Sequence, residues 1–230
     1  MRPNGRHFQF AKRRADRRLH SGTVWLMVMG KDRLDGLDER VVGMGIEAGT
    51  MMMDVFRTMN GSATLDLPAL RRRDIRLHDL EQGIENRCVQ LLLKENLFGS
   101  DFRQVAGALK VIHDLERIGH QSLHVGQILA QNEDPVLYWQ TGLHWMAHHS
   151  AKMVLEAMVA FKNRDVQLAR RIIALDAEVD ARFESVKQAL TRTGQLAPDR
   201  VANGVLIAKY LERISDHAVD ICRRQLVEGA

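Results

Sequence analysis

The chain contains one four-residue stretch twice, as Leu115-Glu116-Arg117-Ile118 and as Leu211-Glu212-Arg213-Ile214. The two copies lie 96 positions apart, and at the same offset Val111 corresponds to Ile207. A second pair of similar stretches, 74–78 and 176–180, precedes them at an offset of 102, and loop length accounts for the difference. Because both pairs occur in the same order, the chain reads as two related halves.

Breaks in the apolar pattern divide these halves into six long segments. Three prolines (Pro68, Pro135 and Pro198) stand just inside the start of a segment, where their fixed φ suits the first turn of a helix. Apolar residues recur at spacings of three and four, which is typical of amphipathic helices, and short loops make neighbouring helices antiparallel. The segments run over about 33–60, 67–95, 100–131, 135–162, 165–192 and 197–227.

We therefore predict an all-α fold in which six long antiparallel helices form two tandem three-helix bundles. The first bundle is expected over residues 33–131 and the second over 135–228. Residues 1–32 form a separate basic extension, because residues 1–30 hold seven Lys and Arg against the single acid Asp16. The rest of the chain has 26 basic and 28 acidic residues, so the net charge of +4 is a property of this extension. We favour a solvated extension, or an upstream start codon chosen in error, over a nucleic-acid or membrane-surface role for it.

Composition excludes several classes of protein. Apolar residues make up 45% of the chain and charged residues 27%, which supplies a core and excludes intrinsic disorder. Only two cysteines are present, so a disulfide framework and a cysteine-based zinc site are excluded. The apolar run at 24–29 is far shorter than the roughly 20 residues of a membrane helix. We expect a cytoplasmic protein with no membrane span.

Two glutamates occupy positions where an apolar side chain is expected. Glu116 continues the apolar stripe of Val105, Leu109 and Ile112, and Glu212 continues the equivalent stripe in the second half. A carboxylate on such a seam is costly unless its charge is compensated. Two compensating partners stay open at this point, an arginine such as Arg117 or a metal ion.

Antiparallel packing would bring acids and histidines on neighbouring helices opposite one another. Residues four apart project from one face of a helix, so each bundle offers four candidate metal ligands. Carboxylate oxygens suit iron(III), manganese or magnesium, and imidazole shifts the preference toward zinc, nickel or iron(II). The candidate ligands are Asp74, His78, Glu116 and His120 in the first bundle and Asp176, Asp180, Glu212 and Asp216 in the second.

The same residues carry a resemblance to a known family. The stretches 100–103 with 115–119, and 211–218, resemble the two signature helices of the PhoU family of phosphate-uptake regulators. Residues 74–88 are similar to the family's second helix and residues 176–183 to its fifth. The resemblance covers about residues 35–228 and involves both repeats.

The resemblance implies two three-helix bundles and a cytoplasmic, non-catalytic protein that restrains phosphate uptake and represses the phosphate regulon. It also implies two partners, the phosphate ABC transporter and a sensor histidine kinase, and we expect a homodimer that binds no nucleic acid. Some family members bind iron or other metals through acid-x-x-x-Asp motifs. That motif is intact at Asp176/Asp180 and Glu212/Asp216, whereas His78 and His120 depart from it in the first half.

Both departures fall in the same bundle, so the first site is either lost or changed in its ion. We favour a changed site, because His124 follows one turn beyond His120 and aligns with Asp220. The hypothesis is a mixed carboxylate–imidazole site in the first bundle and an all-carboxylate site in the second.

Two other functions are alternatives to the regulator. A metal-storage or oxidase bundle unrelated to phosphate signalling is the alternative, but di-iron bundles use Glu-x-x-His and no glutamate here has a histidine three residues later. A nucleic-acid-binding repressor would use the basic extension, yet interleaved aromatic residues and helix-turn-helix spacing are missing and the remaining chain is slightly acidic. No phosphate loop or catalytic triad pattern indicates an enzyme.

Overall fold

The computed structural model describes residues 34, 36–94, 97–131, 134–192 and 196–228, and in these ranges the chain forms seven α-helices and no β-strand. The predicted basic extension lies outside the described residues. The first helix, α1, covers 36–59. The others are α2 (Leu67–Lys94), α3 (Ser100–Gln131), α4 (Pro135–Thr141), α5 (Leu143–Asn163), α6 (Val166–Arg192) and α7 (Pro198–Glu228). The all-α prediction is confirmed.

The helix starts follow from local chemistry. Asp66, Asp134 and Asp165 each accept a hydrogen bond from a backbone N–H in the first turn of the following helix, at 2.8 to 3.0 Å. An aspartate in this position satisfies a donor that has no partner within the helix. Pro135 and Pro198 are the first residues of α4 and α7, as the sequence predicts.

The predicted single helix over 135–162 is wrong, because the chain forms two helices there. Gly142 has φ 85°, in the left-handed region, and its N–H bonds to the carbonyl of Trp139. Glycine reaches this conformation without steric cost, so it ends α4 and turns the chain into α5. The described part of the chain therefore has seven helices, where the sequence predicts six.

The helices pack as two groups that share one continuous core. Helices α2 and α3 pack together, α5, α6 and α7 pack together, and α3 packs along α7. Helix α1 contacts both groups, since Glu47 lies 3.4 Å from Arg76 on α2 and Gly45 lies against Met158 on α5. The buried apolar residues of both groups form one cluster, so the two predicted bundles are fused side by side. Their bounds stay a prediction.

Buried polar groups fix how α7 sits against its neighbours. Asp114 on α3 is 4% exposed and lies 3.0 Å from both His217 Nδ1 and Arg224 Nη2 on α7. On the other side of α7, the hydroxyl of Ser150 on α5 donates to the carbonyl of Leu211 at 3.0 Å. A shift of α7 along α3 would separate the buried carboxylate of Asp114 from both of these partners, and that is costly.

No helix in the described part of the chain is both long enough and apolar enough to cross a membrane.

Replacing Gly119 by valine is expected to lower the free energy of unfolding by about 1–3 kcal/mol, because its Cβ would overlap Leu77 where α2 and α3 meet. Urea denaturation followed by circular dichroism measures the change. Gly83→Ala is the control, since Gly83 is exposed and nothing lies within 4 Å of an added Cβ. The control should lose no stability and gain up to about 1 kcal/mol in helix propensity. Equal stability of wild type and Gly119→Val would contradict the observed packing.

Replacing Asp114 by asparagine is expected to lower the free energy of unfolding by about 1–3 kcal/mol, because His217 and Arg224 lose a buried charged partner. The same urea measurement applies. Asp79→Asn, at an exposed position of α2, should stay within about 0.5 kcal/mol of wild type. If the two variants were equally stable, Asp114 would not be holding α3 against α7.

Candidate functional site

The first-half candidates face one another across α2 and α3. His120 Nδ1 lies 3.5 Å from the Oδ1 of Asp74. One turn along, His78, Glu81 and Glu116 each offer a ligand atom, and these atoms lie within 4.8 Å of one another. The structure therefore brings the four predicted residues together as two facing pairs and adds Glu81.

A third facing pair continues the series. His113 Nδ1 on α3 lies 3.4 Å from Glu81 Oε1 on α2, and Glu81 Oε2 also lies 3.7 Å from His78 Nδ1. Sequence reasoning missed Glu81 and His113. The signal was present, because His78/Glu81 and His113/Glu116 are both His-x-x-Glu pairs at helical spacing.

The second-half candidates lie close enough to repel one another. Partial burial, then the negative charges of Glu212, Asp176 and Asp180, raise the pKa of Asp216 from 3.8 to about 6, and Lys209 lowers it. The side chain of Asp216 keeps contact with solvent. The structure therefore gathers the predicted acids of α6 and α7 on one surface.

Asp176, on α6, has surroundings similar to those of Asp216. Burial and then the charge of Asp180 raise the pKa of Asp176, with smaller contributions from Asp220 and Glu212, and Arg223 opposes them. Asp220 thus belongs to the same acidic surface, which is consistent with its alignment one turn beyond Asp216.

Two basic side chains already neutralise part of this surface. Lys209 Nζ lies 2.7 and 2.6 Å from the two carboxylate oxygens of Glu212. Arg223 lies 3.5 Å from Asp176 and 3.2 Å from Asp220. In the second half, lysine and arginine side chains therefore supply at least part of the positive charge that compensates the carboxylates.

The donor sets can be tested against the metals predicted. Among the described residues, only His78, Glu81 and Glu116 form a group of three whose ligand atoms all lie within 4.8 Å of one another. Imidazole nitrogen with carboxylate oxygen fits zinc, nickel or iron(II). The second-half acids offer oxygen ligands that fit harder ions, but Lys209 would have to leave Glu212 before both oxygens could coordinate.

His124 lies beside the predicted ligand His120, one turn further along α3. Its Nε2 lies 3.1 Å from the Nε2 of His120, and its ring stacks on Tyr210 of α7 with centroids 5.2 Å apart. His124 therefore links α3 to α7.

Neither cysteine has the properties of a nucleophile. Burial raises the pKa of Cys88 to about 11 and that of Cys222 to about 12, and both are fully enclosed in the core. A thiol held neutral in this way acts as a small apolar side chain.

Comparison with known protein families identifies the family of this chain. The PhoU domain model matches residues 41–129 and 143–225, one stretch in each half and together well over half of the chain. The chain belongs to the PhoU family. The resemblance seen in the sequence is confirmed.

Relatives and a solved structure agree with the PhoU assignment. A phosphate-specific transport system accessory protein PhoU homolog of Pseudomonas aeruginosa is 30% identical over 159 residues, which is 66% of this chain and 65% of that protein. A homolog of the same name from Xylella fastidiosa is 28% identical over 204 residues, covering 85% and 84% of the two chains. The crystal structure of PhoU from Pseudomonas aeruginosa superposes with a TM-score of 0.78 at 26% identity, covering 87% of this chain and 99% of that one.

Replacing Asp216 by asparagine is expected to stabilise the protein at pH 7.5 in the presence of EDTA. The raised pKa means that protonation of Asp216 favours the folded state below pH 4 and that this contribution is lost as the pH rises through about 6. The variant cannot ionise, so its melting temperature should exceed that of wild type by up to about 2 °C at pH 7.5, and by less at pH 5.

Differential scanning calorimetry at the two pH values measures this difference. Asp199→Asn, at an exposed position in the first turn of α7, is the matched control and should bring no gain. A lower melting temperature for Asp216→Asn at pH 7.5 would contradict the repulsion.

Proposed function

We propose that this protein is a negative regulator of phosphate uptake and of the phosphate regulon. Membership in the PhoU family carries the proposal, together with relatives that are named accessory proteins of the phosphate-specific transport system. The regulator acts by contact with the phosphate ABC transporter and with its sensor histidine kinase. It works in the cytoplasm as a homodimer and has no catalytic step of its own.

Exposed apolar side chains near the turn between α2 and α3 support a role in protein contacts. Leu93, Phe98 and Phe102 are 81%, 79% and 51% exposed. Large apolar groups grouped on a surface are typical of sites that bind another protein. We assign this end of the molecule to the transporter contact.

Metal ions are part of the proposal as modulators of these contacts. The predicted ligands of both halves lie on the α2–α3 and α6–α7 surfaces, where a bound ion would change the local charge. A change of charge on a docking surface alters the rate and specificity of association. Metal binding at the predicted sets stays a prediction.

The alternative of a metal-storage or oxidase bundle has less support. The di-iron motif Glu-x-x-His does not occur in the sequence, and the match to the PhoU domain covers both halves of the chain.

Deletion of the gene is expected to cause constitutive alkaline phosphatase activity in medium rich in phosphate, because repression of the phosphate regulon would be lost. Phosphatase activity of the deletion strain, compared with wild type at high and low phosphate, measures this effect. A plasmid copy of the wild-type gene should restore repression.

A plasmid copy carrying Phe98→Asp and Phe102→Asp tests the contact surface. Both side chains are exposed, so the variant should fold and yet fail to restore repression. Unchanged phosphatase activity in the deletion strain would refute the regulatory role, whereas full repression by the double variant would refute only the assigned surface.

A further inference from the structure

An open groove lies between the first turns of α3 and the last turns of α7. It has a volume of about 320 Å³. At Lys110 and Arg224 it continues into a second hollow that reaches His113, so the groove follows α3 for about 16 Å. We call this surface the basic groove. Its lining includes Phe102, Arg103, Ala106, Lys110, Arg223 and Arg224.

The basic groove is positively charged. Four of its lining residues are arginine or lysine, and no aspartate or glutamate from the described ranges lines it. The two arginines of α7 are paired with acids outside the groove, at 3.5 and 3.0 Å. Arg103 and Lys110 are exposed, and neither forms an ion pair with another described residue. A surface with uncompensated cations and no carboxylate attracts an anionic partner.

Small residues separate the two uncompensated cations. Ala106 and Gly107 lie between Arg103 and Lys110, and this spacing of three, four and seven places all four residues on one helix face. Because no long side chain rises from the two middle positions, another chain can approach α3 closely there. Phe102, which is 51% exposed, adds an apolar surface at one end. A segment that fits the groove therefore needs a narrow apolar face flanked by acidic residues.

The shape of the basic groove suits a protein segment. It is open to solvent and extends along α3, whereas a small ligand needs a cavity that encloses most of its surface. Its apolar end continues toward Phe98, four residues before Phe102 and 79% exposed. Exposed aromatic residues beside arginines are typical of protein interfaces, and a groove between two helices is a common binding site for a third.

We propose that the basic groove binds an acidic amphipathic helix of a partner protein. Apolar side chains of that helix pack on Phe102 and over Ala106, and its carboxylates pair with Arg103 and Lys110. The proposal rests on the proposed function, in which this end of the molecule contacts a partner, and it adds the chemistry of the segment that is contacted.

Fluorescence anisotropy of a labelled peptide, titrated with the purified protein, tests the proposal. The probe is an amphipathic peptide of about 18 residues, with leucine at every third or fourth position and glutamate at most of the others. The wild type is expected to bind it in a saturable step, and more weakly in about 300 mM salt than in about 50 mM salt. A probe with glutamine for every glutamate, and one with serine for every leucine, should each bind at least about tenfold more weakly.

Charge-reversal variants locate the binding site. Arg103→Glu/Lys110→Glu should weaken binding at least about tenfold, because two attractions become repulsions. Arg71→Glu/Arg72→Glu, at exposed positions near the start of α2, changes the net charge equally and should stay within about threefold of wild type. Arg103→Lys/Lys110→Arg keeps both charges and should also bind as wild type does. Arg103→Gln/Lys110→Gln is the milder change that gives a measurement if the reversal variant fails to fold.

Four outcomes would overturn the proposal. The first is absence of probe binding by the wild type, and the second is an equal loss in the reversal variant and its matched control. The third is displacement of the probe by ATP together with undiminished binding of the serine probe, which would assign the groove to a small polyanion. The fourth is a change in the mass of the assembly, measured by light scattering of Arg103→Glu/Lys110→Glu, which would make the groove a contact between two copies of the chain.

Failure of this proposal and failure of the proposed function are distinguishable. The titration uses purified protein and a synthetic probe, whereas the phosphatase measurement uses cells. A wild-type protein that does not bind the probe, with constitutive phosphatase in the deletion strain, loses the groove assignment and keeps the regulatory role. Probe binding with unchanged phosphatase in the deletion strain has the opposite consequence.

Discussion

The burial of Asp114 between His217 and Arg224 is the constraint on which the arrangement of the two halves depends. A carboxylate at 4% exposure is stable there only with hydrogen-bonding or charged partners, and both partners come from α7. This contact fixes the register of α3 against α7. Helices α3 and α7 each carry candidate ligands on a different face from this contact. The register therefore also fixes where the candidate ligands of the two halves lie relative to the shared core.

The two rows have the same helix geometry and different charge compensation. Antiparallel pairing places acid opposite acid or histidine in both halves, so each half must neutralise carboxylates that it cannot move apart. The second half does so with Lys209 and Arg223, and the residual repulsion is evident in the raised pKa of Asp216. The first half has histidine and glutamine at those positions. The two halves thus share one scaffold, and substitutions at a few positions change which side chains lie beside the carboxylates.

Much of the fold could be predicted because it is encoded locally. Apolar spacing defined the long helices to within a few residues, and proline and aspartate marked their starts. The break at Gly142 was missed because a single glycine within a periodic segment is compatible with a continuous helix, and only its left-handed φ of 85° ends α4. The continuity of the core across both halves was also missed, since helix periodicity does not show which helix a given face will contact.

In the candidate site, too, the sequence determines some features and the packing of the helices decides others. The sequence by itself determined which residues share a helix face, because i, i+3 and i, i+4 spacing is a property of the helix, and it thereby named the predicted acids and histidines. Only the tertiary structure decided which of them face one another. The pairing of Glu81 with His113 depends on how α2 packs against α3. The pairing of Lys209 with Glu212 lies within α7 at a spacing of three residues, so it belongs with what the sequence determines. Charge compensation acts over a few ångströms through space, and that distance is set when the helices pack.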